Sequence, residues 1–244
     1  MILEVPSRDE FVRTFLIPVS KINNSCVLNL SDQGMSTLLA SADNTVILYS
    51  QYKTQFNLAA NTKINLPDIG RLSKILACIP VDAIELSINE NHIEYKSKDI
   101  RFKYHLLDDG ILTTPSISVE KIKGLTYNTT FELPFTSIIS LIKSSSFTLD
   151  LNKVYIFTKE SSVYAEINDK TSHNVDSICL KICDSYEGSP IDEPLPVSFD
   201  TIRTLAGSSA PQINTFINSE LNVMTFEVNN NNIKNTYIVS GLVK

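Results

Sequence analysis

The feature of this 244-residue sequence that most constrains its fold is a pattern that occurs twice, a short amphipathic helix followed by three alternating strands. In the first copy, residues 67–79 set Ile69, Leu72, Ile75, Leu76 and Ile79 on one helical stripe and leave Gly70, Arg71, Lys74 and Ala77 opposite. The runs 84–88, 92–96 and 100–106 alternate apolar and polar residues, which predicts an antiparallel meander with one buried face. In the second copy, residues 198–206 put Phe199, Ile202, Leu205 and Ala206 inward and Arg203 toward the edge. The runs 214–218, 221–228 and 233–239 follow it.

What precedes each copy also matches. Ser7 and Glu10 form a capping box that opens a helix with Phe11, Val12, Phe15, Leu16 and Val19 on its apolar stripe, and with Arg13 and Lys21 on the other side. Pro18 lacks a donor, so a kink or an end is expected there. Strands are predicted at 26–30, 36–42, 45–51, 55–58 and 63–66, with Pro67 in the first turn of the next helix. In the second half come a strand at 130–133 and a helix over 134–143. That helix turns Phe135, Ile138, Ile139, Leu141 and Ile142 inward and Thr136, Ser140, Lys143 and Ser144 outward. Strands at 154–157, 162–167 and 175–183 and a long loop with three prolines at 186–196 complete the series. Phe11 and Phe135 are 124 positions apart, and Ile69 and Phe199 are 130 apart. This near-constant offset predicts an α+β fold of two duplicated domains, 1–110 and 125–244, each with two helices packed on antiparallel sheets. Residues 111–124, with Pro115 and no sustained period, read as an interdomain connector.

Catalytic motifs are few. There is no glycine-rich phosphate loop, Gly-x-Ser-x-Gly elbow or His-Glu-x-x-His helix, and only seven glycines. His92, His105 and His173 have no second His or Cys at ligand spacing, and Asp108-Asp109 before Gly110 reads as a turn. Cys179 and Cys183, four apart on a strand, are about 13 Å apart, too far for a disulfide or one metal. The pair reads as buried thiols, and with Cys26 and Cys78 it fits a cytoplasmic protein. No run approaches the ~18 apolar residues of a membrane span, and the N-terminus has no apolar signal core, so a cytoplasmic binding protein without metal or cofactor is expected. The net charge of −6 argues against nucleic acid for the molecule as a whole. Yet Arg13, Arg71, Lys74, Lys143 and Arg203 lie away from the apolar stripes, while Glu10, Asp68 and Asp200 lie in first turns, where they complement the helix dipole. Helices sharing one side would make that side locally positive.

This order of elements, the connector, the cations opposite the stripes and above all Arg71-Leu-Ser-Lys-Ile-Leu76 with its meander resemble the DNA sliding clamps of the two-domain type. These are the proliferating cell nuclear antigen of eukaryotes and archaea and the processivity clamps of large tailed phages. The resemblance covers the whole chain and is nearer to the phage clamps in length. It implies the DNA-clamp fold and a head-to-tail homotrimeric ring. Such a ring encircles duplex DNA without reading sequence, tethers a DNA polymerase and is opened by a clamp-loader ATPase, in the host cytoplasm if phage-encoded.

By resemblance the DNA-facing residues are Arg13, Lys21, Arg71, Lys74, Lys143 and Arg203, while Ser20, Ala77 and Ser140 fill positions that are basic in the family. Phosphate contacts of this kind attract without register, which permits sliding. A partner-peptide pocket is implied at Leu38, Ala40, Val119, Ile122, Val223 and Tyr237. Subunit contact is implied between residues 100–107 (Ile100, Phe102, Tyr104) of one chain and 175–183 (Ile178, Leu180, Ile182) of the next. Two other readings stay open: a monomeric processivity factor holding DNA on a basic face, and a small α+β enzyme whose His92, His105 and Asp108 converge in a cleft.

Overall fold

The computed structural model describes residues 1–54, 62–146, 152–168, 176–207 and 210–242; the expected strand at 55–58, His173 and Val175 lie outside the described residues. The chain forms two compact units, Met1–Ile122 with Asn230–Asn235, and Lys123–Asn229 with Thr236–Lys244.

In the first unit, β1 (Ile2–Val5) leads into a helical segment over residues 8–22. Then come β2 (Cys26–Ser31), β3 (Gly34–Ala40), β4 (Val46–Lys53), β5 (Thr62–Leu66), the helix Ile69–Ala77, and β6 (Ile84–Ile88), β7 (His92–Lys96) and β8 (Arg101–His105). The strands pair in the orders β1-β6-β7-β8 and β4-β3-β2-β5, all antiparallel. The predicted meander is β6 to β8. Alternation buries Ile84, Leu86, Ile88, Ile93, Tyr95 and Tyr104 on one face. The strand β1 went unpredicted; it pairs Ile2 with Ser87 and Val5 with Ile84, which buries Leu3 and Val5 and leaves Ile2 and Glu4 outside.

The second unit contains β9 (Thr129–Pro134), the helix Phe135–Ser145, β10 (Lys153–Lys159), β11 (Ser162–Ile167), β12 (Ile178–Cys183), β13 (Glu187–Gly188) and β14 (Leu195–Ser198). The helix Phe199–Ala206 and β15 (Gln212–Asn218), β16 (Val223–Asn230) and β17 (Ile233–Ser240) close it, with Asn230–Asn235 at the β16–β17 turn counted in the first unit. Its orders are β13-β9-β15-β16-β17 and β12-β11-β10-β14. Strand for strand, β9-β15-β16-β17 repeats β1-β6-β7-β8, and β14-β10-β11-β12 repeats β5-β2-β3-β4. The fold is α+β, few helices on antiparallel sheets.

Several expectations need correction. Pro18 does not end its helix. Residues Phe11–Leu16 widen into a π-helical turn, in which the Ile17 N–H reaches back to the Val12 carbonyl, and α-helix resumes over Ile17–Ile22. The Thr14 carbonyl, which would have served residue 18, accepts instead from the Asn235 side-chain amide at 2.8 Å. Pro67 precedes its helix rather than opening it, because Asp68 is the N-cap and its carboxylate accepts from the Arg71 N–H at 2.8 Å. The connector contains a short helix, Val119–Lys123, anchored by buried Ile122. The loop 186–196 contains β13 and the first half of β14. Pro196 is tolerated there because β14 is an edge strand that needs no donor on its open side. Of the four free cysteines only Cys26 is buried; Cys78 and Cys179 are exposed, since strand alternation turns Cys179 outward from Ile178 and Leu180.

Candidate nucleic-acid interface

In the first unit the segment 8–22 and the helix Ile69–Ala77 pack against each other, and both bury their apolar stripes. Ser7 caps the first, its hydroxyl accepting from the Glu10 N–H at 3.2 Å. Asn24 joins the end of the first helix to the start of the second. Its carbonyl accepts from the Ile69 N–H at 2.7 Å, its Oδ1 accepts from the Gly70 N–H at 2.9 Å, and its Nδ2 donates to Asp68 Oδ1 at 2.9 Å. The Arg71 N–H and the Asn24 amide hold the Asp68 carboxyl below its ordinary range. With the helices so fixed, Arg13, Lys21, Arg71 and Lys74 are all exposed. Arg13 is held by Asp9 at 3.2 Å, one helical turn away.

In the second unit the helices Phe135–Ser145 and Phe199–Ala206 pack together and expose Lys143 and Arg203. Arg203 lies over the buried Phe199 ring at 4.8 Å and donates to Asp200 Oδ1 at 2.7 Å. Lys21, Arg71, Lys74 and Lys143 make no ion pair among the described residues. All six cations are thus presented by paired helices, four in the first unit and two in the second, and the expected gaps at Ser20, Ala77 and Ser140 carry no charge.

Each unit also presents a strand edge. In β8, bonds from the Ser97 N–H to Ile100 O and from the Leu106 N–H to Asn91 O set the ladder's phase, so the backbone groups of Arg101, Lys103 and His105 point away from β7. Nothing among the described residues pairs with them. Other edges are covered in part: Leu107 bridges to Asn65 on β5, and the Leu242 N–H donates to Pro196 O on β14 at 2.9 Å. On β12, the edge of its sheet, Ile178 and Leu180 are half-buried. Ile182 is buried, and its carbonyl accepts from the Ser137 hydroxyl at 2.8 Å. Of the expected contact residues, Ile100 and Phe102 are half-buried, but Tyr104 faces the core. Its hydroxyl donates to the Asp68 carbonyl and accepts from the Asp68 N–H, both at 2.8 Å, which locks β8 to the helix cap; burial pushes the phenol up to about 12.

The expected peptide-pocket residues divide between the units. Leu38 and Ala40 are half-buried on β3 and line a pocket of about 420 Å³ with residues 111–116 of the connector. Val119 is half-buried and Ile122 buried. In the second unit Val223 is half-buried at the start of β16, while Tyr237 is 1% exposed and its hydroxyl finds no partner among the described residues. In the isolated chain Tyr237 is therefore a core residue. Of the residues of the enzyme reading, a pocket of about 440 Å³ takes in Asp108, with Asp109, Asn65 and Met1, but neither His92 nor His105. Among the described residues no three His, Cys, Asp or Glu side chains gather as a metal site. Among the described residues no helix is long and apolar enough to cross a membrane.

No protein-family model matches the sequence, and no curated protein matches it. Its fold does match solved structures over the whole length. The A. fulgidus PCNA bound to the C-terminal region of FEN-1 superposes with a TM-score of 0.80 at 15% identity, over 100% of this chain and 99% of that one. Proliferating cellular nuclear antigen from Entamoeba histolytica gives 0.80 at 13% identity, over 99% and 98%. The PCNA2-PCNA3 complex from Sulfolobus tokodaii gives 0.76 at 10%, over 99% of both chains.

Proposed function

We propose that this chain, which has the fold of the PCNA sliding clamps, works as one: a non-enzymatic processivity factor that closes head to tail into a homotrimeric ring around duplex DNA and tethers a DNA polymerase. The observation that carries the reading is the edge each unit offers within that fold, β8 on the first and β12 on the second, neither paired with a further strand among the described residues. Two different edges on one chain permit a heterologous contact, and such contacts make rings when the rotation closes. Half-buried Ile100 and Phe102 on one edge and Ile178 and Leu180 on the other are apolar surface that pairing would bury. The exposed helix cations Arg13, Lys21, Arg71, Lys74, Lys143 and Arg203 supply phosphate contacts that carry no sequence information. On the first unit, half-buried Leu38, Ala40 and Val119 beside the connector contribute to the partner-peptide region, and a clamp-loading ATPase opens the ring. The working compartment on this reading is the cytoplasm.

The test has two stages. Light scattering over a concentration series at low and moderate salt is expected to give a trimer that dissociates on dilution. Polymerase assays are then expected to show longer products on circular primed DNA than on linear DNA, whose ends let a ring slide off. A strict monomer at every concentration overturns the ring; a monomer that stimulates synthesis equally on both templates replaces it with a basic-face processivity factor.

A further inference from the structure

The edges of β8 and β12 can meet in only a few registers, and the side chains they carry choose one. Along β8, Arg101, Lys103 and His105 are exposed, while Ile100 and Phe102 are half-buried on the other face. Along β12, Cys179 and Lys181 are exposed, while Ile178 and Leu180 are half-buried on the other face. Residues directly opposite one another in a ladder share a face. An antiparallel contact, the kind both strands already make with β7 and β11, therefore sets odd-numbered residues against odd-numbered ones, and alternative registers differ by steps of two.

Setting Arg101 or Lys103 opposite Lys181 puts two cations face to face, and like charges so placed destabilise a ladder. Both of these registers also set Ile182, already buried in its own unit, against Ile100 or Phe102. Setting His105 opposite Lys181 draws the ladder past the end of β8, where Leu107 bridges to Asn65. A slide the other way puts Leu180 against Lys98 and carries Phe102 beyond the start of β12. The remaining register sets Asp99 opposite Lys181 and Arg101 opposite Cys179. In it the half-buried apolar residues pair with one another, Ile100 with Leu180 and Phe102 with Ile178. Lys181, which pairs with Asp184 in its own chain, gains a second carboxylate from exposed Asp99. Arg101, bound to Glu94 at 2.7 Å, meets Cys179, whose partner on β11 is Glu166. The cation at the joint therefore has an acid on each side.

We propose that β8 of one copy of this chain docks antiparallel on β12 of a second copy in this register, with the Asp99–Lys181 ion pair and the Ile100–Leu180 and Phe102–Ile178 contacts keeping it from slipping. The proposal rests on the ring reading and adds to it which residues meet. The backbone groups of Arg101 point away from β7, so 101 and 179 form a hydrogen-bonded pair, with Cα atoms about 5.5 Å apart. That lies within the span of about 4.4–6.8 Å that a disulfide bridges. A position two residues along the strand is about 8 Å away, outside it.

Disulfide trapping in the full chain tests it. After mild oxidation with diamide, Arg101→Cys is expected to link position 101 of one copy to Cys179 of the next, read by mass spectrometry of unreduced peptides, while Lys103→Cys and His105→Cys leave Cys179 free. Light scattering is expected to show that Asp99→Lys and Lys181→Asp each raise the concentration of half-dissociation roughly fivefold, as loss of an exposed ion pair does, and that the double exchange restores it. Linkage of position 103 or 105 to Cys179, or of position 101 to Cys183, overturns the register and leaves the ring standing. A trimer that links from none of the three positions overturns the proposed edge contact, and a double exchange no tighter than the single variants overturns the ion pair. A strict monomer of the unaltered chain removes the ring reading and this inference together.

Discussion

The Asn235 side-chain amide donates to the Thr14 carbonyl across 2.8 Å and 221 positions of sequence, and its Oδ1 accepts from the Ser50 hydroxyl at 2.6 Å. All three residues are buried. Pro18 cannot supply the donor that the Thr14 carbonyl would find in a regular helix, so Asn235 stands in for a missing backbone bond. Asn235→Ala leaves a buried carbonyl and a buried hydroxyl unsatisfied, and an orphaned group costs about 1–3 kcal/mol. Urea unfolding is expected to show a loss of this size, with a smaller loss in Ser50→Ala, where Asn235 keeps its bond to Thr14.

Acid stability depends on the cap of the helix Ile69–Ala77. The folded Asp68 carboxyl titrates below its unfolded value of about 3.9, so its stabilising contribution is present above that value and is lost as pH falls through the lower, folded one. Asp68→Asn keeps a capping oxygen but removes the titration. Thermal melts from pH 6 down to about 3 are expected to fall less steeply in Asp68→Asn than in the parent; parallel curves would contradict this.

Salt dependence should separate the paired from the unpaired cations. Lys143→Ala and Lys21→Ala remove charges with no ion pair among the described residues, and each lost phosphate contact lowers the slope of log affinity against log salt by about 0.9. Arg203 is engaged with Asp200, so Asp200→Ala is expected to strengthen DNA binding. Anisotropy with a short linear duplex measures both.

Thiol chemistry reads the edge β12 directly. Burial pushes the Cys26 thiol up to about 12, so alkylation near pH 8 is expected at Cys78 and Cys179 but not at Cys26 until the chain unfolds. If β12 pairs with β8 of another copy, Cys179 labelling slows as protein concentration rises while Cys78 labelling does not. Leu180→Glu should abolish that protection and return the mass to that of a monomer. Mass spectrometry of labelled peptides distinguishes the outcomes.

The repeated helix-and-meander units were legible because a period of 3.6 followed by a period of 2 is hard to produce otherwise, and β6, β7 and β11 fall where alternation puts them. The strand β1 was not, because four residues at a chain end give too short a pattern. The π-helical turn was invisible for a different reason: Phe11, Val12, Phe15, Leu16 and Val19 fit an α-helical stripe equally well, and the deciding partner, Asn235, lies at the far end of the sequence. Exposure of the helix cations was readable from the stripes opposite them. The inward role of Tyr104 was not, since alternation gives its side of the sheet but not the Asp68 backbone that receives its hydroxyl. Nor could spacing along the chain reveal that His92 and His105 are cross-strand partners, which only strand register creates.

The wide turn at Phe11–Leu16 has a geometric result for the exposed side of its helix. In a regular α-helix every fourth residue drifts by about 40° around the axis. A turn that takes in an extra residue drifts the other way, so Asp9, Arg13, Ile17 and Lys21 line up as a column instead of a spiral. Half-buried Ile17 is the uncharged rung between two cations, and Ile17→Lys would turn an interrupted ladder of charge into a continuous one.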